Sequence, residues 1–322
     1  VSRRARHPYD ECAPEDGPER PVTLSRVIPE SRLLTRRQAL AGIVGVAGGL
    51  VLIGCGDQTT SSPTTTAPDS LTLGARFADG FQAPTVIAAG SPQRAPYVLI
   101  GADGWPATDV PDRIEMTVTQ GDTVVHTGTV DRHGEDHVIP YFPLVFTPPT
   151  AGDYAVRSAG MPGRHRLRVA EASELDLVQV GDQMVPVDTP TIADPLDVTP
   201  ICTWPDGPCP LHGLTVRGAL ARRGPTALLI ATPRFCQQDV CGPAVDVVVA
   251  EAADRGGSWS VVHAEVFVAP DDNDFTLAPA VTAYGLTFEP SLVVADGDGV
   301  VTAVLHFTMD AVEVREAFDT AV

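Results

Sequence analysis

Between residues 70 and 172 the apolar positions come in short Val/Ile/Thr-rich runs broken by turn residues. Met116 and Val118 alternate with Glu115, Thr117 and Thr119, as a half-buried strand requires. Comparable runs are Thr85-Val86-Ile87, Tyr97-Val98-Leu99-Ile100, Thr123-Val124-Val125 and His165-Arg166-Leu167-Arg168-Val169. Clusters such as Gly101-Ala102-Asp103-Gly104 and Gln120-Gly121-Asp122 separate them. This region is expected to be all β. Residues 173–212 form a Pro/Thr/Asp-rich connector, and from residue 213 strand and helix signals alternate. Residues 227–231 read as a buried strand. Val245, Val248, Val249 and Ala252 follow at helical spacing within 243–255, and Gly256-Gly257 ends that helix. A strand over 259–268 and a helix over 277–284, ended by Gly285, come next. Strands 291–295 and 300–307 flank Asp296-Gly297-Asp298-Gly299, a hairpin signature, and Asp310 caps a last helix running to residue 321.

The chain before residue 70 has another character. Thr35-Arg36-Arg37-Gln38-Ala39-Leu40 leads into an uncharged, glycine-rich stretch over 39–54 and then Leu52-Ile53-Gly54-Cys55. That stretch is shorter than the ~20 residues needed to span a bilayer. Arg36-Arg37 ahead of it resembles a twin-arginine export signal, and Leu52-Ile53-Gly54-Cys55 resembles the lipobox of bacterial lipoproteins. The resemblance implies that residues 1–54 are cleaved and that Cys55 becomes a lipidated amino terminus on the outer face of the membrane. An uncleaved single-pass anchor is the alternative. Residues 55–69, rich in Thr, Ser and Pro, cannot bury apolar area and are expected to be an extended tether.

Charge narrows the partners. The formal net charge is −19; residues 1–54 hold eight arginines and six acids, so the remainder carries about −21. So acidic a surface repels phosphate backbones, which excludes nucleic acid as a natural partner. Lysine is absent, and Ala, Val, Asp, Gly and Pro are abundant. That bias points to a GC-rich coding sequence of actinobacterial type. Val1, with no methionine before Met116, points to a GTG start, with Val22 and Val27 as alternative starts.

The cysteines carry the chemistry. Cys12 leaves with the leader and Cys55 takes the lipid, leaving two local pairs, Cys202/Cys209 and Cys236/Cys241. Cys202 and Cys209 bracket a proline-rich turn and are expected to form a structural disulfide. The sharper alternatives are a second redox pair or, with His212, a site for a soft metal such as copper. His212 by itself reads as a helix-start residue. Four residues separate Cys236 from Cys241. On regular helix their Cα atoms would lie ~8–9 Å apart, beyond the ~7 Å limit for a disulfide. Pro243 leaves two readings, a pair lying mostly on a loop or a helix from Gln237 kinked at Pro243. An inert disulfide staple is the bland alternative.

Two resemblances organise these observations. Gly152-Asp153-Tyr154 after Phe146-Thr147-Pro148-Pro149 resembles the turn into a strand of immunoglobulin-like domains, which implies a β-sandwich and a Tyr154 hydroxyl bonded back to the preceding corner. The order strand 227–231, Phe235, Cys236, Cys241, helix, strand, helix, Pro290, hairpin, helix resembles the thioredoxin-like superfamily. Val180-Gly181-Asp182 resembles the entry of exported members. This resemblance implies a fold over 213–322 with Cys236 as nucleophile at a helix start, Cys241 as resolving thiol, and a cis-Pro290 facing them. The opposite reading takes Cys241-Gly242-Pro243-Ala244 as the remains of a Cys-Gly-Pro-Cys motif, with Cys241 as nucleophile. In that superfamily an acid on the first strand moves protons beneath the cysteines. Ile230 stands at its place here, so His263 or Glu265 is expected to supply the role unless both lie on a solvent-facing strand edge.

The function so implied is a membrane-anchored thiol–disulfide oxidoreductase acting on protein thiols or disulfides outside the membrane, without a cofactor or metal. Other classes remain open. A thiol peroxidase is one, although Pro233 stands where peroxiredoxins need Thr or Ser and Thr232 is one residue off. A Sco-like copper chaperone, echoed in Asp239-Val240-Cys241 and needing His306, is another. The third is an assembly module whose sandwich binds a partner. His133-Gly134-Glu135-Asp136-His137 has metal-like spacing, but Gly134 and the acids indicate a turn.

Overall fold

The computed structural model describes residues 71–75, 87–135, 137–205, 207–236 and 240–322, all within one unit spanning Thr64–Val322. Arg36, Arg37, Cys55, the 55–69 tether and the Thr85-Val86 part of the first expected strand lie outside the described residues. Among the described residues strand outweighs helix, and no helix is long and apolar enough to cross a membrane.

The first seven strands are β1 (Thr72–Ala75), β2 (Gln93–Ile100), β3 (Arg113–Gln120), β4 (Thr123–Asp131), β5 (Phe142–Phe146), β6 (Gly152–Ser158) and β7 (His165–Val169). They pair antiparallel in two sheets, ordered β1-β2-β5 and β4-β3-β6-β7. Period-2 burial holds where it was expected: Ile114, Met116 and Val118 of β3 are buried and Arg113 and Glu115 exposed. Tyr97, Leu99, Phe142 and Leu144 of one sheet join Met116, Val118, Val156 and Leu167 of the other in one apolar cluster. The Tyr154 hydroxyl donates to Thr150 O at 2.6 Å, closing the corner ahead of β6. Tyr154→Phe should therefore cost about 1 kcal/mol, read as a lowered denaturation midpoint with unchanged m-value.

The second half begins with α1 (Val216–Ala221) and β8 (Thr226–Ile230) and continues with α2 (Cys241–Arg255), β9 (Ser260–Ala264), β10 (Phe267–Ala269), β11 (Asp274–Leu277), α3 (Pro279–Ala283), β12 (Ser291–Ala295), β13 (Val301–His306) and α4 (Ala311–Asp319). Four strands form a mixed sheet ordered β13-β12-β8-β9, with β8 and β9 parallel and the other neighbours antiparallel. All of β8 and β12 is buried, so these strands read as continuous apolar runs rather than alternations. Leu228, Ile230 and Val293 pack with Val216 of α1 and Val281 of α3 in one cluster. Leu229, Leu292 and Val294 pack with Val245 and Val248 of α2 and Val314 and Phe318 of α4 in another.

Local signals end the elements as expected in most places. Asp310 accepts from the amides of Val312 and Glu313 at the start of α4. Gly285 follows α3 at φ +63°, where a Cβ would meet Asp176 O at 2.3 Å, so only glycine fits. The strand expected over 259–268 is instead broken between β9 and β10. The backbone there turns Glu265 and Val266 inward, and the Val266 amide bonds Thr232 Oγ1 at 2.8 Å. The expected helix over 277–284 is shorter, because Leu277 closes β11 and Pro279 occupies the first turn of α3.

A buried ion pair joins the two halves. Arg94 on β2 forks onto Glu313 of α4 at 2.6 Å through both Nε and Nη2, and also donates to His306 O and Thr308 O at 2.7 Å. Tyr141 donates to the same carboxylate at 2.5 Å. Beside it the Asp310 carboxylate accepts from Gly134 N and meets His133 Nδ1 at 3.0 Å. His137 N bonds Gly134 O, a turn-type contact in the segment whose composition indicated a turn; Asp136 lies outside the described residues.

Candidate functional site

The segment leaving β8 turns sharply, with the amides of Phe235 and Cys236 both donating to Thr232 O at 3.1 and 3.0 Å. Cys236 and Cys241 form a disulfide with Cα atoms 6.2 Å apart. Gln237, Gln238 and Asp239, on which the two geometries that Pro243 allowed differ, lie outside the described residues. Helix α2 begins at Cys241, Val240 caps it at non-helical φ, and Pro243 sits in the first turn. Cys241, not Cys236, therefore occupies the helix start. Cys241 is fully buried, while Cys236 on the turn is half-buried and is the more accessible member.

Across from the pair lies the segment entering β12. The Glu289-Pro290 bond is cis. Glu289 Oε2 accepts the Thr232 amide at 2.6 Å and stands 3.5 Å from Cys241 Sγ. In the disulfide that sulfur carries no proton and can only accept, so Cys241 donates to Glu289 only once it is reduced. Burial pushes the Glu289 carboxyl up to about 8, against the Thr232 amide, and the nearby Glu265 charge adds to the rise. A carboxyl that keeps its proton near neutrality, in contact with the inner cysteine, is equipped to give or take a proton there.

His263 and Glu265 are buried rather than on a solvent-facing edge. Glu265 accepts from the Thr203 amide at 2.5 Å and from its hydroxyl at 3.1 Å, and burial raises its pKa while His263 opposes. His263 Nδ1 lies 3.7 Å from Cys202 Sγ and 3.3 Å from Cys209 Sγ. His263, one of the two residues expected to move protons beneath Cys236 and Cys241, thus contacts the other pair. The structural disulfide expected between Cys202 and Cys209 is not formed: both are free, buried thiols, and their sulfurs lie close to each other and to the imidazoles of His212 and His263. The Cys209 thiol hydrogen-bonds Cys202 and lowers its pKa, while Cys209 is itself raised by holding that proton. His212 is not a helix start, since Thr215 caps α1 by accepting the Gly218 amide at 2.9 Å.

The geometry also bears on the rival chemistries. Among the described residues, the group that joins Cys236 and Cys241 within ligand-cluster distance is Glu289. His306, which a Sco-like site would need, meets Ser291 Oγ through Nδ1 at 2.8 Å and lies edge-on to Phe288. Thr232, the nearest candidate for a peroxidatic hydroxyl, is fully buried and its Oγ1 accepts the Val266 amide. Glu289 and Thr203 are the participants that sequence reasoning missed, and Thr232 was considered only as a displaced peroxidatic hydroxyl. Glu289 carried one signal, its place directly before Pro290. No known protein-family model and no curated protein matches this chain.

Proposed function

We propose that this chain is a thiol–disulfide oxidoreductase, with residues 213–322 as a thioredoxin-like domain, residues 70–172 as an immunoglobulin-like β-sandwich, and Cys55 as a lipid anchor on the outer face of the membrane. Its partners on this reading are protein thiols or disulfides outside the membrane. The observation that carries the reading is an accessible Cys236 bonded to a buried Cys241 whose sulfur stands 3.5 Å from the high-pKa carboxyl of Glu289.

The chemistry balances with these groups alone. A partner thiolate attacks Cys236 Sγ, forming a mixed disulfide and breaking the Cys236–Cys241 bond. The electron pair leaves on Cys241, which takes the Glu289 proton. A second partner thiolate then attacks the partner sulfur of the mixed disulfide and releases Cys236, so the partner loses two electrons and the site gains them. In the reverse direction Glu289 removes the Cys241 proton and Cys241 resolves the mixed disulfide.

Reduction of the full chain by a dithiol, followed by thiol trapping from about pH 6 to about pH 10, tests this role. The rate per partner thiolate should fall as pH rises through about 8, because only the protonated carboxyl protects the leaving sulfur. Glu289→Gln should be about 100-fold slower and flat across that range. An unchanged rate and profile in Glu289→Gln would remove the carboxyl from the mechanism. The raised pKa also means that the folded state holds a proton the unfolded chain has lost. Stability should fall from pH ~4.3 up to about 8, and Glu289→Gln should abolish that decline.

A further inference from the structure

The second thiol pair takes no part in that chemistry, yet it sits in a buried cluster of four ligand-capable side chains. Cys202, Cys209 and His212 come from the connector ahead of α1, and His263 comes from β9. One donor atom from each lies within 4.8 Å of every other, and all four residues are buried. We propose that these four side chains form a structural zinc site of Cys2His2 type.

Zinc bonds of ~2.3 Å to sulfur and ~2.0–2.1 Å to nitrogen place S and N neighbours of a tetrahedral centre ~3.6 Å apart. The two S–N separations at His263 Nδ1 are 3.7 and 3.3 Å. The far nitrogen of that ring, Nε2, faces Ala231 O at 3.0 Å. A carbonyl only accepts, so Nε2 bears hydrogen and Nδ1 points at the sulfurs, as in a ring oriented for metal by its outer hydrogen bond. Glu265 does the same for the Cys202 side by holding the Thr203 amide and hydroxyl.

His212 supplies the independent observation. It is 1% exposed, and among the described residues neither ring nitrogen has a hydrogen-bond partner of normal geometry, its nearest polar contact being the Cys202 thiol of the same cluster. Each such orphan costs about 1–3 kcal/mol, and a metal bond to the nitrogen facing the thiols removes one of them. Charge selects the ion. Two thiolates and Zn2+ sum to zero, whereas two thiolates and Cu+ leave a net negative charge in the apolar cluster that contains Cys202 and Cys209. Four protein donors fill the tetrahedron, so the site is closed to substrate. Binding displaces two thiol protons to solvent and leaves both sulfurs reduced and shielded from exchange.

The full chain, isolated anaerobically with a mild reductant and no chelator, should carry one equivalent of zinc. After metal removal, Co2+ used as probe should bind one equivalent with tetrahedral bands and a thiolate-to-cobalt charge-transfer band. Cys209→Ser and His212→Ala should each weaken that binding by at least about 100-fold, and Cys236→Ser/Cys241→Ser should leave it unchanged. Zn2+ added to the metal-free wild-type chain should raise its Tm, a readout that needs no variant. An octahedral cobalt spectrum without charge transfer, binding that survives Cys209→Ser, or a Cys202–Cys209 disulfide in the anaerobic protein would overturn the site. Retention of Cu+ against excess Zn2+ would overturn the choice of metal. Neither result touches the Cys236–Cys241 assay, so the two proposals fail separately.

Discussion

Cys236→Ser should reduce thiol–disulfide exchange by the full chain to the uncatalysed background, a loss of more than about 1,000-fold. Cys236 is the half-buried member of the disulfide, and Cys241 is fully buried behind it at the start of α2. An incoming sulfur needs in-line access, which the outer cysteine offers. A serine oxygen in its place neither forms the mixed disulfide nor leaves from it. Cys241→Ser should behave differently, because the outer thiol still attacks but nothing releases the product. It should accumulate a mixed disulfide at Cys236, visible as a mass adduct that a strong reductant removes. Insulin reduction with mass analysis of both variants separates the roles. Wild-type turnover in Cys236→Ser would assign the chemistry elsewhere. A stable adduct on Cys241 in Cys236→Ser would favour the reading with Cys241 as nucleophile.

Arg94→Ala should destabilise the protein by about 3–5 kcal/mol, because it strands the Glu313 carboxylate in a buried place. The side chains of Arg94 and Glu313 are only 6% and 7% exposed and meet at 2.6 Å. Screening by water is therefore weak, and the guanidinium also satisfies two backbone carbonyls, of His306 and Thr308. The double variant Arg94→Met/Glu313→Leu should recover much of the loss, since removing both charges leaves no unpaired ion. Recovery stays partial because Tyr141 then loses its acceptor. Urea unfolding followed by fluorescence and circular dichroism measures this. A loss below about 1 kcal/mol in Arg94→Ala would show that the pair is screened like a surface bridge. The adjacent Asp310 adds a pH arm. Burial alone would raise its carboxyl, but His133 and the amides of Glu313 and Gly134 hold it well below the carboxylate range. Its contribution is present above the unfolded Asp value and lost as pH falls through the depressed one.

Much of the local architecture was legible in the chain. His165-Arg166-Leu167-Arg168-Val169 alternates and forms β7. Asp296-Gly297-Asp298-Gly299 lies between β12 and β13, whose strands pair as a hairpin. Asp310 caps α4. Other elements were not legible. β5 contains Pro143 opposite Pro96 of β2, and a proline in a run argues against a strand unless its missing amide faces away from the ladder. β1 is four residues without a fully buried position, so it shows no periodicity to read.

The sequence by itself determined that two close cysteine pairs exist, that one follows a buried strand and precedes a helix, and that a proline opens a later strand. Those are contacts within a few residues, where chain geometry leaves little choice. Only the tertiary structure decided which charged group meets which sulfur. Glu289 reaches Cys241 across 48 residues, and His263 reaches Cys209 and Cys202 across 54 and 61. These meetings follow from the strand order β13-β12-β8-β9, which sets the entry to β12 and the end of β9 on either side of β8. Strand order depends on how apolar faces pack between α1 with α3 and α2 with α4, and no pattern along a single strand records it.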